Sequence, residues 1–175
     1  MFLSKRRVIL IGTIAAIAAA IVLLPWLLTF TLPTNVNDVA IHLTKVEVGN
    51  IVNDGGQRLP LNVYFYIYNP TKQTLTTSKI EYKLLANSTM LGEGNLSYED
   101  VPVNGRPQLL SNSTTTLKSP FEVIYSNSTA KLFKMLANST QAAEAAKQIK
   151  WRAEGVAQIE SGFISSPKEF NESPK

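Results

Sequence analysis

Twenty-five consecutive residues, Val8 to Leu32, carry no charge, and Ser4-Lys5-Arg6-Arg7 stands immediately before them. An α-helix rises about 1.5 Å per residue, so such a run is long enough to cross a hydrocarbon core of about 30 Å. Short basic flanks stay on the cytoplasmic side. The sequence therefore predicts a cytoplasmic flank over residues 1–7, oriented by Lys5, Arg6 and Arg7, and a transmembrane signal-anchor helix over residues 8–32. Everything after the helix is predicted to be extracytoplasmic, making a single-pass protein of the cell membrane. Pro25 divides the run, because proline kinks or ends a helix. Trp26 then falls at the outer interface, where an apolar ring with one N–H donor is most at home. A cleaved signal peptide is the competing reading. Its apolar core would span about 7–15 residues and end at a small-x-small site. Cutting at Ala18-Ala19-Ala20 would leave Ile21 to Leu32 as a greasy new N-terminus, which favours the uncleaved anchor.

The anchor also explains the net charge of +4. Three of the 17 basic residues precede the run, leaving 14 against 13 acidic ones from Pro33 onward. The basic balance is thus a topology signal, and with no basic–aromatic interleaving the sequence argues against nucleic acid as a partner. The chain has no cysteine and one histidine, His42. That excludes disulfides and thiol chemistry, and makes a histidine-built zinc site or a Ser-His-Asp triad within one chain improbable. Neither cofactor nor metal is expected. Six Asn-x-Ser/Thr sequons stand where composition alone would give about two: Asn87, Asn95, Asn112, Asn127, Asn138 and Asn171. All lie beyond the anchor, on the side where N-glycan transfer occurs, and are the candidate glycosylation sites.

After a short stalk over residues 33–38, alternation of apolar and polar residues predicts strands. Val39 to Val52 is β-branched, with a slip near Thr44-Lys45 that points to a bulge. Asn53-Asp54-Gly55-Gly56 is a turn signal. Leu59 to Tyr68 is the clearest strand, placing Leu61, Val63, Phe65 and Ile67 on one face and Asn62, Tyr64, Tyr66 and Tyr68 on the other. Lys79 to Leu85 turns at Asn87-Ser88-Thr89 into Met90 to Tyr98. Gly92 and Gly94 there mark an edge or bulge, since no helix follows to cap a phosphate. Val101 to Asn112 reads as loop and Thr114 to Tyr125 as strand. Thr129 to Lys150 turns helical, as two short helices or one kinked one, and Trp151 to Phe163 is the closing strand. Residues 164–175 read as a polar tail. The order predicts a mainly β fold: an antiparallel β-sandwich of about seven strands over residues 39–163, with one helical insertion.

This order resembles the late-embryogenesis-abundant group 2 family and its related water-stress (WHy) domain. The residues that carry the likeness are Leu61-Asn62-Val63-Tyr64-Phe65-Tyr66-Ile67-Tyr68-Asn69-Pro70, Ile80 to Leu84, Leu91-Gly92-Glu93-Gly94, Phe121-Glu122-Val123, and Ile149 to Gly155. Thr71 stands where the family often repeats Asn after Asn-Pro. The resemblance implies a seven-stranded sandwich with a helix, frequently one N-terminal membrane helix, no enzymatic activity, and roles in stress protection or lipid contact. Absent cysteine, dense Asn-Ser-Thr and a lone anchor would suit an archaeal surface protein.

The expected function is a non-catalytic binding or protective module of the cell envelope. It would meet the lipid bilayer through residues 8–32, and lipid or another envelope protein through the outer domain. The alternative is a structural subunit of a surface filament, motor or envelope complex, such as an archaellum stator. Val8 after Arg7 removes the small residue that pilin processing expects. An enzyme is disfavoured: Glu99-Asp100 is the only adjacent acidic pair, and neighbours on an extended segment point to opposite faces.

Overall fold

The computed structural model describes residues 12–23, 35–49, 58–136, 142–162 and 164–174. Two units separate, Met1–Thr34 and Asn35–Lys175. In the first, residues 12–23 form helix α1, uncharged and exposed along its length. Among the described residues no helix is long and apolar enough to cross a membrane. The rest of the expected 8–32 span lies outside them, as do Lys5, Arg6, Arg7 and Trp26.

The second unit is mainly β. Its strands are β1 (Ala40–Val48), β2 (Arg58–Asn69), β3 (Leu75–Ala86), β4 (Thr89–Ser97), β5 (Gln108–Leu109), β6 (Ser113–Ile124), β7 (Trp151–Ser161) and β8 (Ile164–Glu172), with α2 (Ala130–Leu136) and α3 (Ala142–Gln148) between β6 and β7. A three-stranded sheet has the order β1-β2-β6; a five-stranded sheet has the order β4-β3-β7-β8, with β5 pairing β3. Every pairing is antiparallel.

Several expectations are corrected. The described strands number eight, against about seven expected. The supposed polar tail over 164–175 is strand β8, paired with β7 from Ser161↔Ile164 to Ala153↔Glu172. It escaped notice because only Phe170 along it is buried, so no apolar alternation is written there. In the expected loop, Gln108 and Leu109 pair with Thr76 and Leu75. The stalk over 33–38 contains a 3-10 turn, Val36–Asp38, capped by the Asn35 side chain and burying Val36. Within 129–150 the described residues form two short helices, one of the two arrangements expected, and the Asn53–Gly56 turn lies outside the described residues.

The clear strand behaves as its alternation dictates. Leu61, Val63, Phe65 and Ile67 are buried, whereas Tyr66 and Tyr68 are 44% and 41% exposed. Facing Phe65, the five-stranded sheet presents one cross-strand row, Phe170↔Gly155↔Tyr82↔Gly94, read directly from the registers. Large and small residues alternate along it. Phe65 meets Tyr82 edge-on at 4.9 Å between centroids and Phe170 at 5.6 Å, so its ring sits over the gap left by Gly155. A Cβ on Gly155 would overlap the Glu81 carbonyl and stand 2.7 Å from Tyr82 Cα. A Cβ on Gly94 would come within 2.6 Å of the Tyr82 hydroxyl, because that ring leans across Gly94 to donate to Ser119 Oγ on β6 at 2.9 Å.

The packing of this row sets the stability of the domain. Phe65→Ala should cost about 3–5 kcal/mol, as for other large buried aromatics, and Tyr66→Ala, on the open face, well under half of that. Gly155→Ala should destabilise as strongly as Phe65→Ala although it adds one methyl group. Urea unfolding of the three variants checks this; equal losses at Phe65 and Tyr66 would mean both faces of β2 are packed.

Burial pushes the Tyr82 hydroxyl up to about 12, against the lowering effect of its bond to Ser119. Its folded value thus lies above the unfolded one near 10. Between those values the unfolded chain gives up a proton that the folded chain keeps, so unfolding gains as pH rises. The contribution is whole below about pH 10 and is lost as pH approaches about 12. Thermal melts across that window should fall less steeply for Tyr82→Phe than for the parent protein.

Candidate functional site

The outer face of the three-stranded sheet carries the largest aromatic display. Tyr64, Tyr66 and Tyr68 occupy alternate positions of β2, the middle strand, and therefore line one face. The β1 bulge brings Lys45 over the Tyr64 ring at 4.4 Å, and Lys45 pairs with Glu47 at 2.7 Å. Arg58 and Glu122 pair at 3.4 Å on the same sheet. The face offers aromatic and hydroxyl groups, with exposed Lys118 opposite Tyr64 and His42 opposite Tyr66. At the far end of β6, Ile124 is 70% and Tyr125 51% exposed, and Tyr125 meets Phe133 of α2 edge-on at 5.3 Å.

The helices close one side of the core. Leu132, Phe133 and Leu136 of α2, Ala146 of α3 and Ile149 after it join the same apolar cluster as the strands, and Leu136 is fully buried. Trp151 Nε1 donates to the Ala146 carbonyl at 2.9 Å, locking the end of α3 to the start of β7. Two clefts lie elsewhere. One, of about 810 Å³, runs over the outer face of the five-stranded sheet, bordered by Glu81, Lys83, Glu93, Asn95, Glu154 and Asn171 among others. The other, of about 610 Å³, lies beside Gly49, Pro60, Lys118 and Glu122.

Of the groups that sequence inspection singled out for chemistry, only His42 ties one element to another. His42 Nδ1 meets Glu172 Oε2 at 3.0 Å, joining β1 to β8 across the edge of the sandwich. Glu99 and Asp100 are exposed, and Glu99 exchanges hydrogen bonds only with Ser97 beside it and, through its carbonyl, with Arg106. No group of three metal-ligating side chains occurs among the described residues.

Two ties were not legible from composition or spacing. Arg106 Nη1 reaches both Glu160 carboxylate oxygens at 2.7 Å, with both side chains largely buried. Burial alone would raise the Glu160 carboxyl, but hydrogen bonds from Ser78 and Arg106, the Arg106 charge and Thr76 hold it below the usual range. This pair fastens the irregular segment before β5 to β7. The second tie is Asn69, fully buried. Its Nδ2 donates to the Gln73 and Leu109 carbonyls at 2.7 and 2.8 Å; its Oδ1 accepts from Thr71 N at 3.0 Å and Thr71 Oγ1 at 2.7 Å. The side chain thus saturates its hydrogen-bonding capacity while linking the end of one sheet to the other. The signal in the sequence was Asn-Pro-Thr itself, an Asx turn with a hydroxyl two residues on.

Of the sequons, Asn87, Asn95, Asn112, Asn127 and Asn171 are all exposed. Asn138 lies outside the described residues. Asn87 and Asn112 sit in turns at φ 50°, and Asn95 and Asn171 on β4 and β8.

No protein-family model matches the sequence, and no curated protein matches it. Solved structures do. A protein from Archaeoglobus fulgidus is 17% identical with a TM-score of 0.43, over 75% of this chain and 93% of that one. A protein from Arabidopsis thaliana is 14% identical with a TM-score of 0.48, over 77% and 80%. A candidate late embryogenesis abundant (LEA) protein is 14% identical with a TM-score of 0.43, over 100% and 94%. At these low scores the likenesses carry no argument about what the chain does.

The Asn69 tie gives a direct test. Asn69→Ala leaves two carbonyls and two Thr71 groups short of a partner and should cost about 2–4 kcal/mol. Asn69→Asp should cost more at neutral pH, since a carboxylate would face two carbonyl oxygens, and recover part of the loss in acid, where its protonated form donates once. Denaturant midpoints at pH 7 and about pH 4 distinguish the two variants.

Proposed function

We propose that this chain is a non-catalytic binding and protective module of the cell envelope, similar in kind to late-embryogenesis-abundant group 2 proteins. It is held to the membrane by residues 8–32, with Lys5, Arg6 and Arg7 inside, Trp26 at the outer interface, and the sandwich displayed outside and N-glycosylated. What supports the anchor is the uncharged run behind a basic flank, and what supports display is six sequons, of which the five described are exposed. The observation that carries the binding role is the row Tyr64, Tyr66, Tyr68 on the middle strand of the three-stranded sheet, with two of its rings left more than two-fifths exposed. Rigid aromatic side chains with a polar tip bring large contact area at small entropic cost. The groups that could do covalent chemistry are engaged elsewhere: His42 with Glu172, and Tyr82 with Ser119.

A second reading, a structural subunit of a larger envelope complex, draws on exposed Ile124 and Tyr125 at the end of β6. An apolar pair at one end of a sandwich suits a neighbouring subunit better than a lipid surface.

Protease applied to intact cells should remove the sandwich and spare the N-terminal segment; a protected sandwich would end the display reading. In gently solubilised envelopes, Tyr66→Ser with Tyr68→Ser should strip at least about tenfold of the co-purifying lipid or protein while the fold survives, as expected when a pair of interface anchors is removed. Glu99→Gln should retain it. Loss confined to Ile124→Ser would favour the subunit reading.

A further inference from the structure

Resting on the reading that the sandwich is displayed where N-glycans are transferred, we propose that the fold sorts the sequons. Asn95 and Asn171 accept glycans that wall off the outer face of the five-stranded sheet, and Asn127 is refused.

In the transfer, Asn Nδ2 attacks the anomeric carbon of an oligosaccharide activated as a polyprenyl phosphate ester. A C–N bond replaces the C–O bond to phosphate, the polyprenyl phosphate leaves with the bonding electrons, and the amide loses one proton to a base. Nδ2 must therefore be open to solvent. The hydroxyl two residues on is what separates a sequon from any other asparagine tripeptide, so the transferase must reach that group as well.

Asn127 fails on the second requirement. Its hydroxyl is Thr129, 3% exposed. Thr129 Oγ1 donates to the Ile124 carbonyl at 3.0 Å and accepts from Ser126 N at 2.8 Å, while the Thr129 carbonyl opens α2 by accepting from Phe133 N. This is the start of the helix, and freeing the hydroxyl means undoing the turn that places α2 on the core. An exposed asparagine is thus paired with an unreachable partner.

Asn95 and Asn171 meet both requirements. Asn95 is exposed on β4, an edge strand, with Ser97 also exposed and making bonds of 3.3 Å with Glu99 only. Asn171 is exposed on β8, the opposite edge; its Oδ1 accepts from Arg152 Nε at 2.7 Å, which leaves Nδ2 turned away from that bond, and Ser173 is exposed. The two share one face. Asn95 lies in the row Asn95↔Glu81↔Val156↔Glu169, and Asn171 in the next outward row, Glu93↔Lys83↔Glu154↔Asn171. They stand three strand spacings apart, about 14 Å across the strands, and two residues, about 7 Å, apart along them, on opposite rims of the same cleft. Glycans on both would lie over its carboxylates. Strands β1 and β2 contain no sequon, since Asn69-Pro70-Thr71 has proline in the middle; the Asn112 sequon runs into the start of β6, where its exposed hydroxyl residue Thr114 lies opposite Tyr68.

The test is glycopeptide mass spectrometry of the full chain made in cells that glycosylate on the extracytoplasmic side. Peptides bearing Asn95 and Asn171 should be shifted by a glycan and the Asn127 peptide should not. Intact mass should drop by one glycan for Asn95→Gln and for Asn171→Gln, and stay level for Asn127→Gln. Ser97→Ala and Ser173→Ala, which keep each asparagine, should give the same drops. A glycan on Asn127, or bare Asn95 and Asn171 on a chain modified at other sequons, would overturn the sorting while leaving the display reading intact. A chain bare at every sequon would overturn both.

Discussion

The domain depends on one ring meeting one gap. Phe65 from the three-stranded sheet enters the space over Gly155 between Tyr82 and Phe170 of the other sheet. Interiors are packed as densely as organic crystals, so a knob of this size demands a void of matching size in the facing layer. Gly155 provides it, and Gly94 repeats the device two strands on, beyond β3, letting Tyr82 lie flat enough to reach Ser119. That hydroxyl bond crosses from one sheet to the other inside the core, where an unpaired phenol would be costly. The relative placement of the sheets is thereby fixed, and with it which residues each outer face can show.

What could be read from the sequence follows how strongly burial is written into alternation. In β2, four inward apolar residues alternate with four outward polar or aromatic ones, and both faces came out as expected. The slip near Thr44 was legible too: Leu43↔Phe65 gives way to Lys45↔Tyr64, leaving Thr44 as the extra residue. Strand β8 was not legible because an edge strand of mixed polarity, with proline at 167 and one buried ring, looks like a tail. Its pairing partner β7, whose buried Trp151, Ala153, Ala157 and Ile159 do alternate, supplies the order. Asn69 shows a third case. Its punctuation value was visible, since Asn-Pro ends a strand, but its burial and four hydrogen bonds depend on carbonyls that only the fold brings near. Of the candidate surface, the sequons and tyrosines were visible as residues, and their division between two faces was not, because it depends on strand order.

The polar chemistry of the domain is spent largely on irregular segments. Arg106 with Glu160 holds the stretch before β5; Asn69 holds the stretch after β2; Thr129 starts α2; Asn87 accepts from Lys150 N at 3.0 Å, fastening the β3–β4 turn to the chain that leads into β7. Regular strands satisfy their own backbone, whereas loops must borrow side chains to do so. Of the buried polar residues, Asn69 and Thr129 sit at joints between elements, whereas Thr77, Ser78 and Ser119 lie within strands.

The sheet edges are also a matter of consequence. Among the described residues the long edge strands are β1, β6, β4 and β8, with the two-residue β5 a further short edge beside β3, and each long edge is a template for unwanted pairing. All four carry an interruption. In β1 the extra residue Thr44 turns its hydroxyl onto the Tyr64 carbonyl, and Lys45 adds charge. In β4 Leu91 is the extra residue, beside Gly92 at φ 150°, a backbone that other residues rarely adopt. Strands β6 and β8 contain Pro120 and Pro167, which have no N–H to offer a neighbour, with Lys118 and Lys168 close by. β1 and β8 are further drawn together by His42 with Glu172, and Lys168 reaches the Asn37 carbonyl at 2.5 Å. Backbone pairing with another chain is thus discouraged along each of these four strands.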